Sequence, residues 1–492
     1  MKDLAKWQIV SFISRGIAMV LGVLQSILIY RFLTLSEGGV VQLATAAGAA
    51  LGVLQHLGLA SASTREISAA KDEKEIFKIF ITSGFIRYAI TVPLALGLIL
   101  LAKTLAVNTY HVPEMETPLK LYGLVLLIQG FQSILNSVIQ GTKRFKVLFI
   151  YQALIPLVSI AFYLPLVFMY RIDGYFYAQV GVNLVSSLIL GVIAFKPLKN
   201  FLQWPSFADF KRLFKELFSI SVGIYIVKII YTNWEKLGPN LLGIVSTTEM
   251  VGYFGFALLY AKKLMNISDS VTDVNLPVFS DKYVNDRKTF ESLFSENFNK
   301  LFVLIVFTGV TAAYWAGDII HLAMGKVKFD PSIPLVLPIV FAFVFYSFIN
   351  IIKSSVIVPA KMVKEMIISF VGLIGGTLVF YYLTTPFFGN LMAMAYGMVF
   401  GAVLSFSIMA ISSKIKLNFA FINKDHALLL FQALVITLMG GIVNIWVKSV
   451  GFVLFGVLFV WAAYASSFIT KNDFVQAFNI IGKVKKKFNL SR

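Results

Sequence analysis

The sequence has no cysteine, which removes disulfide frameworks, thiolate metal sites and cysteine nucleophiles together. Its four histidines, His56, His111, His321 and His426, are far apart, and none stands at metal-ligand spacing from another or from a carboxylate. A metal site is therefore not expected, and neither is any cofactor. No Gly-rich phosphate loop of the Walker type is present, so ATP is not the expected energy source. Charged residues are also few, at 14% of the 492 residues. Against this scarcity stand 58% hydrophobic residues and a mean hydropathy of +0.82. A chain of this length and composition cannot hide its apolar surface in a water-soluble core, and it belongs in a bilayer.

Apolar segments of spanning length, about 20 residues each, fall at Ile9 to Phe32, Gly39 to Ala60, Ile79 to Leu101, Leu119 to Gln140, Val147 to Met169 and Tyr175 to Phe195. They continue at Leu217 to Trp234, Met250 to Ser270, Leu301 to Ile320, Pro334 to Val358, Ile367 to Leu383 and Leu391 to Ile411, and end with Ala427 to Val447 and Gly451 to Ile469. The expected fold is thus an all-α integral membrane protein of about fourteen transmembrane helices. The first segment is too long for a cleavable signal peptide and contains Arg15.

The formal charge of +19 is placed asymmetrically. With the N-terminus inside, 31 of the 43 Lys and Arg lie on the cytoplasmic side and 8 on the other, the remaining four being within spans. That bias predicts a multi-pass protein of the cell membrane with both termini cytoplasmic, and explains the charge without nucleic acid. The tail at 471–492, with Lys483, Lys485, Lys486 and Lys487 beside Phe478 and Ile480, reads as a basic amphipathic helix on anionic lipid. Loops near Lys196 to Glu216 and Val271 to Lys300 read as amphipathic helix extensions, and no external loop is long enough for a catalytic domain.

The fourth segment occurs twice. Gln129, Gln132, Asn136 and Gln140, spaced three, four and four apart, share one face of a helix. At an offset of 218, Gln129 falls on Ser347, Gln132 on Asn350 and Asn136 on Ser354, and Ser137-Val138-Ile139 falls on an identical Ser355-Val356-Ile357. A second correspondence sets Ser36, Glu37 and Val40 on Thr248, Glu249 and Gly252, and Arg15 on Lys228, at 212 to 213. Corresponding segments of the same orientation imply parallel repeats. We expect an N-lobe at 1–200, a C-lobe at 201–420, an appended pair of helices at 421–470 and the tail beyond.

Four cations within spans mark the expected site, because a charge at bilayer depth needs a cavity or a partner. Lys228 lies deepest, Lys228 and Arg15 are the cations expected to face a cavity, and Arg87 and Lys353 lie within snorkelling reach. The first six segments carry no Asp or Glu in their membrane cores. The second half offers only Glu235, Asp269 and Asp273, near helix ends, as possible ion-coupling groups. A positive cavity walled by Gln129, Gln132, Asn136, Gln140, Ser347, Asn350 and Ser354 suits an anionic, hydrogen-bonding substrate.

With Arg15 in helix one, Tyr30-Arg31-Phe32-Leu33 at its end and Ser36-Glu37-Gly38-Gly39 opening helix two, the chain resembles the multidrug/oligosaccharidyl-lipid/polysaccharide exporter superfamily. Glu249-Met250-Val251-Gly252-Tyr253, Leu276-Pro277-Val278-Phe279-Ser280 and Asp318-Ile319-Ile320 before Met324-Gly325 are similar to its second-lobe patterns. Fourteen helices and a basic cavity look most like its polysaccharide transporter branch. That resemblance implies a flippase, not an enzyme, which carries polyprenyl-pyrophosphate-linked oligosaccharide, such as O-antigen or exopolysaccharide units, to the outer leaflet by alternating access. It also implies membrane lipids, a polysaccharide polymerase and glycosyltransferases as partners. The lipid II flippase branch is an alternative, although Gly38-Gly39-Val40-Val41 stands where that branch carries an acidic and aromatic motif. A cation-coupled multidrug exporter is another, although helix one has no acidic residue. A membrane-embedded polymerase or ligase shares the hydrophobicity but lacks its expected long catalytic loop.

Overall fold

The computed structural model describes residues 20–55, 59–70, 72–142, 144–196, 203–325, 328–441, 444–471 and 473, with backbone alone for 218–232 and for scattered positions that include 273. The described residues are helical, with no strand among them. The helices are α1 (Val20–Phe32), α2 (Leu35–Leu54), α3 (Leu59–Ala69), α4 (Glu73–Thr104), α5 (Glu116–Gly141), α6 (Phe145–Phe195), α7 (Phe207–Val245) and α8 (Thr248–Lys262). After them come α9 (Met265–Asn285), α10 (Arg287–Tyr314), α11 (Ala316–Met324), α12 (Ile333–Ile352), α13 (Val363–Leu417), α14 (Lys424–Leu438) and α15 (Ile445–Ala465).

Eight of the described helices are long and apolar enough to cross a membrane. Their outward faces carry large apolar side chains such as Leu100, Phe168, Leu188, Val192, Val453 and Trp461. Such surface is stable against lipid and not against water, so the chain is a multi-pass membrane protein.

Two helices are longer than any bilayer. α6 has 51 residues and α13 has 55, which at about 1.5 Å per residue exceeds 75 Å against a hydrocarbon core of about 30 Å. Each contains one non-helical residue, Arg171 in α6 (φ 54°) and Gly389 in α13 (φ 71°), and doubles back there. In α6 the rings of Tyr163 and Tyr175 meet at 4.9 Å, and in α13 those of Phe380 and Phe400 stack at 5.0 Å. The turns fall in the gaps expected between Met169 and Tyr175 and between Leu383 and Leu391. Two other expected spans are interrupted. The segment Met250 to Ser270 is split between α8 and α9, because the amides of Lys263, Leu264 and Ile267 bond three residues back rather than four, which tightens and ends the helix. Gly39 to Ala60 is divided between α2 and α3.

Local chemistry starts the helices. Thr34 and Ser206 cap α2 and α7, and Glu37 and Asp209 complete reciprocal capping boxes. α7 begins at Phe207 within the predicted amphipathic extension, and Lys78 on α4 holds Asp209 at 2.9 Å.

Contacts divide the chain into two compact units. The first comprises Met1–Ala257, Ala323–Ser332 and Thr384–Met394. In it α5 packs along α4 and α6, over a core that includes Phe77, Phe80, Leu135, Val138 and Leu190. The second comprises Leu258–Leu322, Ile333–Leu383 and Ala395–Arg492. There α9, α10 and α12 pack together, with Phe298, Phe302 and Phe348 fully buried. α15 is pinned within this unit by Lys448, whose Nζ donates to Asp318 Oδ2 at 2.5 Å and lies 5.2 Å above the ring of Tyr314. Packing therefore groups α7 and the start of α8 with the first unit, whereas the lobe boundary at residue 200 was expected from repeat correspondence, which is a different quantity.

Candidate functional site

In the first unit a polar stripe crosses the apolar interior of α4. Ser83, Arg87 and Thr91, four residues apart, share its buried face. Arg87 is 1% exposed, so its guanidinium does not snorkel to the surface but ends inside the unit. Thr91 Oγ1 donates to Oε1 of Gln55 at 3.1 Å, just past the end of α2, and the Tyr88 hydroxyl donates to the Leu127 carbonyl of α5 at 2.9 Å. Ser137 on α5 donates to the Ala60 carbonyl of α3 at 3.1 Å.

The amide face of α5 is used unevenly. Gln132 Nε2 donates to the Asn183 carbonyl, on the returning arm of α6, at 2.7 Å, so that amide joins two helices. Gln129 and Asn136 are half-buried, and Gln140 is exposed at the helix end. Arg15 lies outside the described residues, as does the side chain of Lys228 in α7. Glu235, farther along α7, lies 3.2 Å from Lys236.

In the second unit the corresponding polar face belongs to a hydrogen-bonded cluster. Asn350 Nδ2 donates to Asp269 Oδ1 at 2.7 Å and to Ser268 Oγ at 3.4 Å. Asn275 Nδ2 donates to Ser355 Oγ at 3.1 Å and to Asn297 Oδ1 at 3.4 Å. Ser354 turns back to the Ile351 carbonyl at 3.1 Å, and the Ser347 hydroxyl is buried with no hydrogen-bond partner among the described residues. Lys353 is half-buried and opens a π-helical turn, Lys353–Ile357. The repeated Ser-Val-Ile is therefore α-helical at 137–139 and lies in a π turn at 355–357. The side chain of Asp273 is not among those described.

Asp269 and Asn350, expected in separate roles, thus belong to one cluster. Gln55 was missed in the sequence because it is a single amide in an apolar stretch, and Asn275 and Asn297 because they stand among other polar residues at helix segments read as extensions. The stripe on α4 was legible as a four-residue spacing of Ser83, Arg87 and Thr91. Ser36 Oγ and Thr248 Oγ1, set on each other by the offset of 212, lie 2.8 Å apart within the first unit. Gly39 meets the turn at Thr248 to Gly252 with no room for a side chain.

The chain was compared with known proteins on this basis. Residues 4–282 match the family described as polysaccharide biosynthesis protein. No curated protein matches the chain. Among solved structures it is similar to the lipid II flippase MurJ in an inward closed conformation, with a TM-score of 0.71, 15% identity, and coverage of 94% of this chain and 100% of that one. It is also similar to an inward-facing multidrug resistance MATE family transporter of the MOP superfamily, with a TM-score of 0.68, 12% identity and coverage of 82% and 99%. The eukaryotic MATE transporter AtDTX14 superposes with a TM-score of 0.57 at 14% identity, over 83% and 95%. These three structures are of a flippase and two transporters, and what they share with this chain is the fold. The chain belongs to the polysaccharide biosynthesis protein family and has the fold of the MOP exporters.

Proposed function

We propose that the protein is a flippase that moves polyprenyl-pyrophosphate-linked oligosaccharide, an O-antigen or exopolysaccharide repeat unit, from the inner to the outer leaflet of the cell membrane. One coincidence carries this reading: a polysaccharide-biosynthesis family match over 4–282 on a chain whose fold follows a lipid flippase over 94% of its length. A substrate of that class has an anionic pyrophosphate, many sugar hydroxyls and an apolar tail. The chain offers a group for each. Arg15 and Lys228 hold phosphate oxygens through charge-assisted hydrogen bonds, with Arg87 and Lys353 adding to the positive field. Gln129, Asn136 and Ser347 offer neutral donors and acceptors to sugars, and the tail stays in lipid.

The excess of Lys and Arg in one set of loops supports cytoplasmic termini. A negative-inside potential then favours outward movement of the anion by about 2.3 kcal/mol per charge per 100 mV. Asp269, held by Asn350, is the described carboxylate best placed for ion coupling. Lipid II is the second reading, favoured by the match to MurJ; it shares the polyprenyl pyrophosphate and differs in the sugar-peptide head. Polymerases and glycosyltransferases acting on the same lipid are the expected partners.

The test is transport in proteoliposomes of a fluorescent polyprenyl-pyrophosphate oligosaccharide, read as head group made accessible on the far side. Arg15→Ala and Lys228→Ala are expected to abolish transport while the protein still elutes as a folded species. Normal transport by both variants would sink the assignment. Native mass spectrometry of gently extracted protein distinguishes the readings: a hexose-bearing polyprenyl pyrophosphate supports the first, and a pentapeptide-bearing disaccharide the second.

A further inference from the structure

Three cations outside the expected site converge beside the start of α2, all within the first compact unit. Arg31 stands at the end of α1, Arg171 at the turn inside α6, and Lys328 between α11 and α12. They line a cavity of about 490 Å³ together with Thr34, Ser36 and Glu249.

The three are not equivalent. Arg171 is committed: its Nε and Nη2 hold Glu37 in a bidentate pair at 2.9 and 2.7 Å, and its Nη1 donates to the Phe32 carbonyl. That clamp accounts for the positive φ of Arg171, an arrangement an L residue adopts only when its surroundings fix it. Lys328 Nζ donates to the Tyr30 carbonyl at 2.8 Å and the Leu33 carbonyl at 2.5 Å, leaving one of three hydrogens. Arg31 donates only Nε, to the Ala323 carbonyl at 2.7 Å, and its terminal nitrogens have no partner among the described residues.

Carbonyls at a helix end attract cations, which explains the bonds already made. It does not explain the donors left over, nor their sharing of one cavity. Glu37 is occupied by Arg171, and the further carboxylate on the cavity wall is Glu249. The ammonium of Lys328 is pushed below its ordinary range by burial, with the neighbouring charge of Arg171 acting in the same direction and the Glu37 carboxylate opposing it in part. A second anion in the cavity relieves that crowding. The Ser36 and Thr248 hydroxyls, bonded to each other, retain one hydrogen between them to donate.

We infer that this cavity is a second phosphate site, in which Arg31 and Lys328 hold the pyrophosphate of the lipid-linked substrate at the membrane face opposite the termini. The inference rests on the flippase reading and its orientation, and it assigns the site to the release side of transport. The terminal nitrogens of Arg31 present a planar fork suited to two phosphate oxygens. Lys328 adds a single charged donor, and Ser36 or Thr248 a neutral one. Sugars attached to the pyrophosphate extend from the open side of the cavity.

The lack of cysteine makes the chain its own labelling background. Ser36→Cys, and separately Leu35→Cys, is introduced into the full chain in proteoliposomes and treated from each side with a membrane-impermeant maleimide. Labelling is expected from the face opposite the termini. Geranylgeranyl pyrophosphate is expected to slow it, with a half-protecting concentration raised about tenfold or more by Arg31→Gln and by Lys328→Gln, since each removes a charge-assisted bond. Inorganic pyrophosphate and phosphatidylglycerol-rich vesicles are the comparison arms. Protection by inorganic pyrophosphate at equal concentration supports the site with free anion as its source; protection by phosphatidylglycerol alone supports it with bulk headgroup as its source. Absence of protection, or protection unchanged in Arg31→Gln, overturns the inference. Because Lys328 also closes the end of α1, Arg31→Gln carries the decision if Lys328→Gln fails to fold. Transport measured in parallel separates the two claims: protection without transport of lipid-linked sugar leaves this site standing and removes the flippase reading, whereas transport without protection does the reverse.

Discussion

The approach of α2 to the start of α8 is close enough that one methyl group decides it. A Cβ built on Gly39 lies 1.7 Å from the Thr248 carbonyl oxygen, 2.6 Å from its carbon and 3.1 Å from the Gly252 nitrogen. A Cβ on Gly252 lies 2.6 Å from the Leu35 carbonyl oxygen, so the contact is tight from both sides. All these neighbours are backbone atoms, which cannot swing away as a side chain can. To reach even 3.0 Å from the oxygen, Gly39→Ala must separate the helices by 3.0 − 1.7 Å, about 1.3 Å, enough to break the 2.8 Å bond between Ser36 and Thr248. Overpacking of this kind costs about 1 to 3 kcal/mol. The better helix propensity of alanine returns about 0.8 to 1 kcal/mol, leaving a net loss of up to about 2. Gly97 in α4 is the control, because nothing lies within 4 Å of its Cβ position. Gly97→Ala should gain the propensity term alone. Tryptophan fluorescence on heating in detergent is the assay, with scan rate held fixed because membrane-protein unfolding is commonly irreversible. Gly39→Ala is expected to melt below the parent and Gly97→Ala at or above it. Equal melting of the two variants would refute the close crossing.

Three further outcomes are expected. Asp209 is held down at about 2, chiefly by its hydrogen bond from Lys78 and then by Ser206; with a folded pKa below the unfolded value, its contribution is present above about pH 4 and lost as pH falls toward 2. Asp209→Asn should therefore unfold more readily near neutrality and show less acid sensitivity in that window, followed by fluorescence against pH. Lys448 is 3% exposed and bonded to Asp318, so Lys448→Ala should cost about 1.5 to 3 kcal/mol; Lys448→Arg should recover part of this, and limited proteolysis before α15 reports the loosening. Asn350→Ala removes the donor to Asp269 and Ser268 and should cost about 1 to 3 kcal/mol; if Asp269 couples an ion, Asp269→Asn should abolish the ion dependence of transport, and unchanged dependence removes it from that role.

Much of this architecture could be read from residue type and spacing. Runs of about 20 apolar residues with few charges can be stable only as helices in lipid, so the class of fold and the turns near Arg171 and Gly389 follow from one-dimensional pattern. The hydrogen bond of 2.8 Å between Ser36 and Thr248 is a contact that spacing alone does not predict. The even use of the α5 amides did not hold: periodicity puts Gln129, Gln132 and Gln140 on one face, but only packing shows that Gln132 is spent on the Asn183 carbonyl while Gln140 ends exposed.

Spacing along a helix fixes the direction in which a side chain leaves it, and burial in lipid fixes how many helices there are. Neither says which partner waits at the other end, because that depends on residues far away in the chain. Arg31 meeting Ala323, Lys328 meeting Tyr30, and Asp269 meeting Asn350 are such cases, separated by 292, 298 and 81 positions. The sequence by itself determined a basic, cysteine-free, all-helical membrane protein. Only the tertiary structure decided that Arg87 is enclosed, that Asp269 shares its oxygen with Asn350, and that Arg31, Arg171 and Lys328 gather on one cavity.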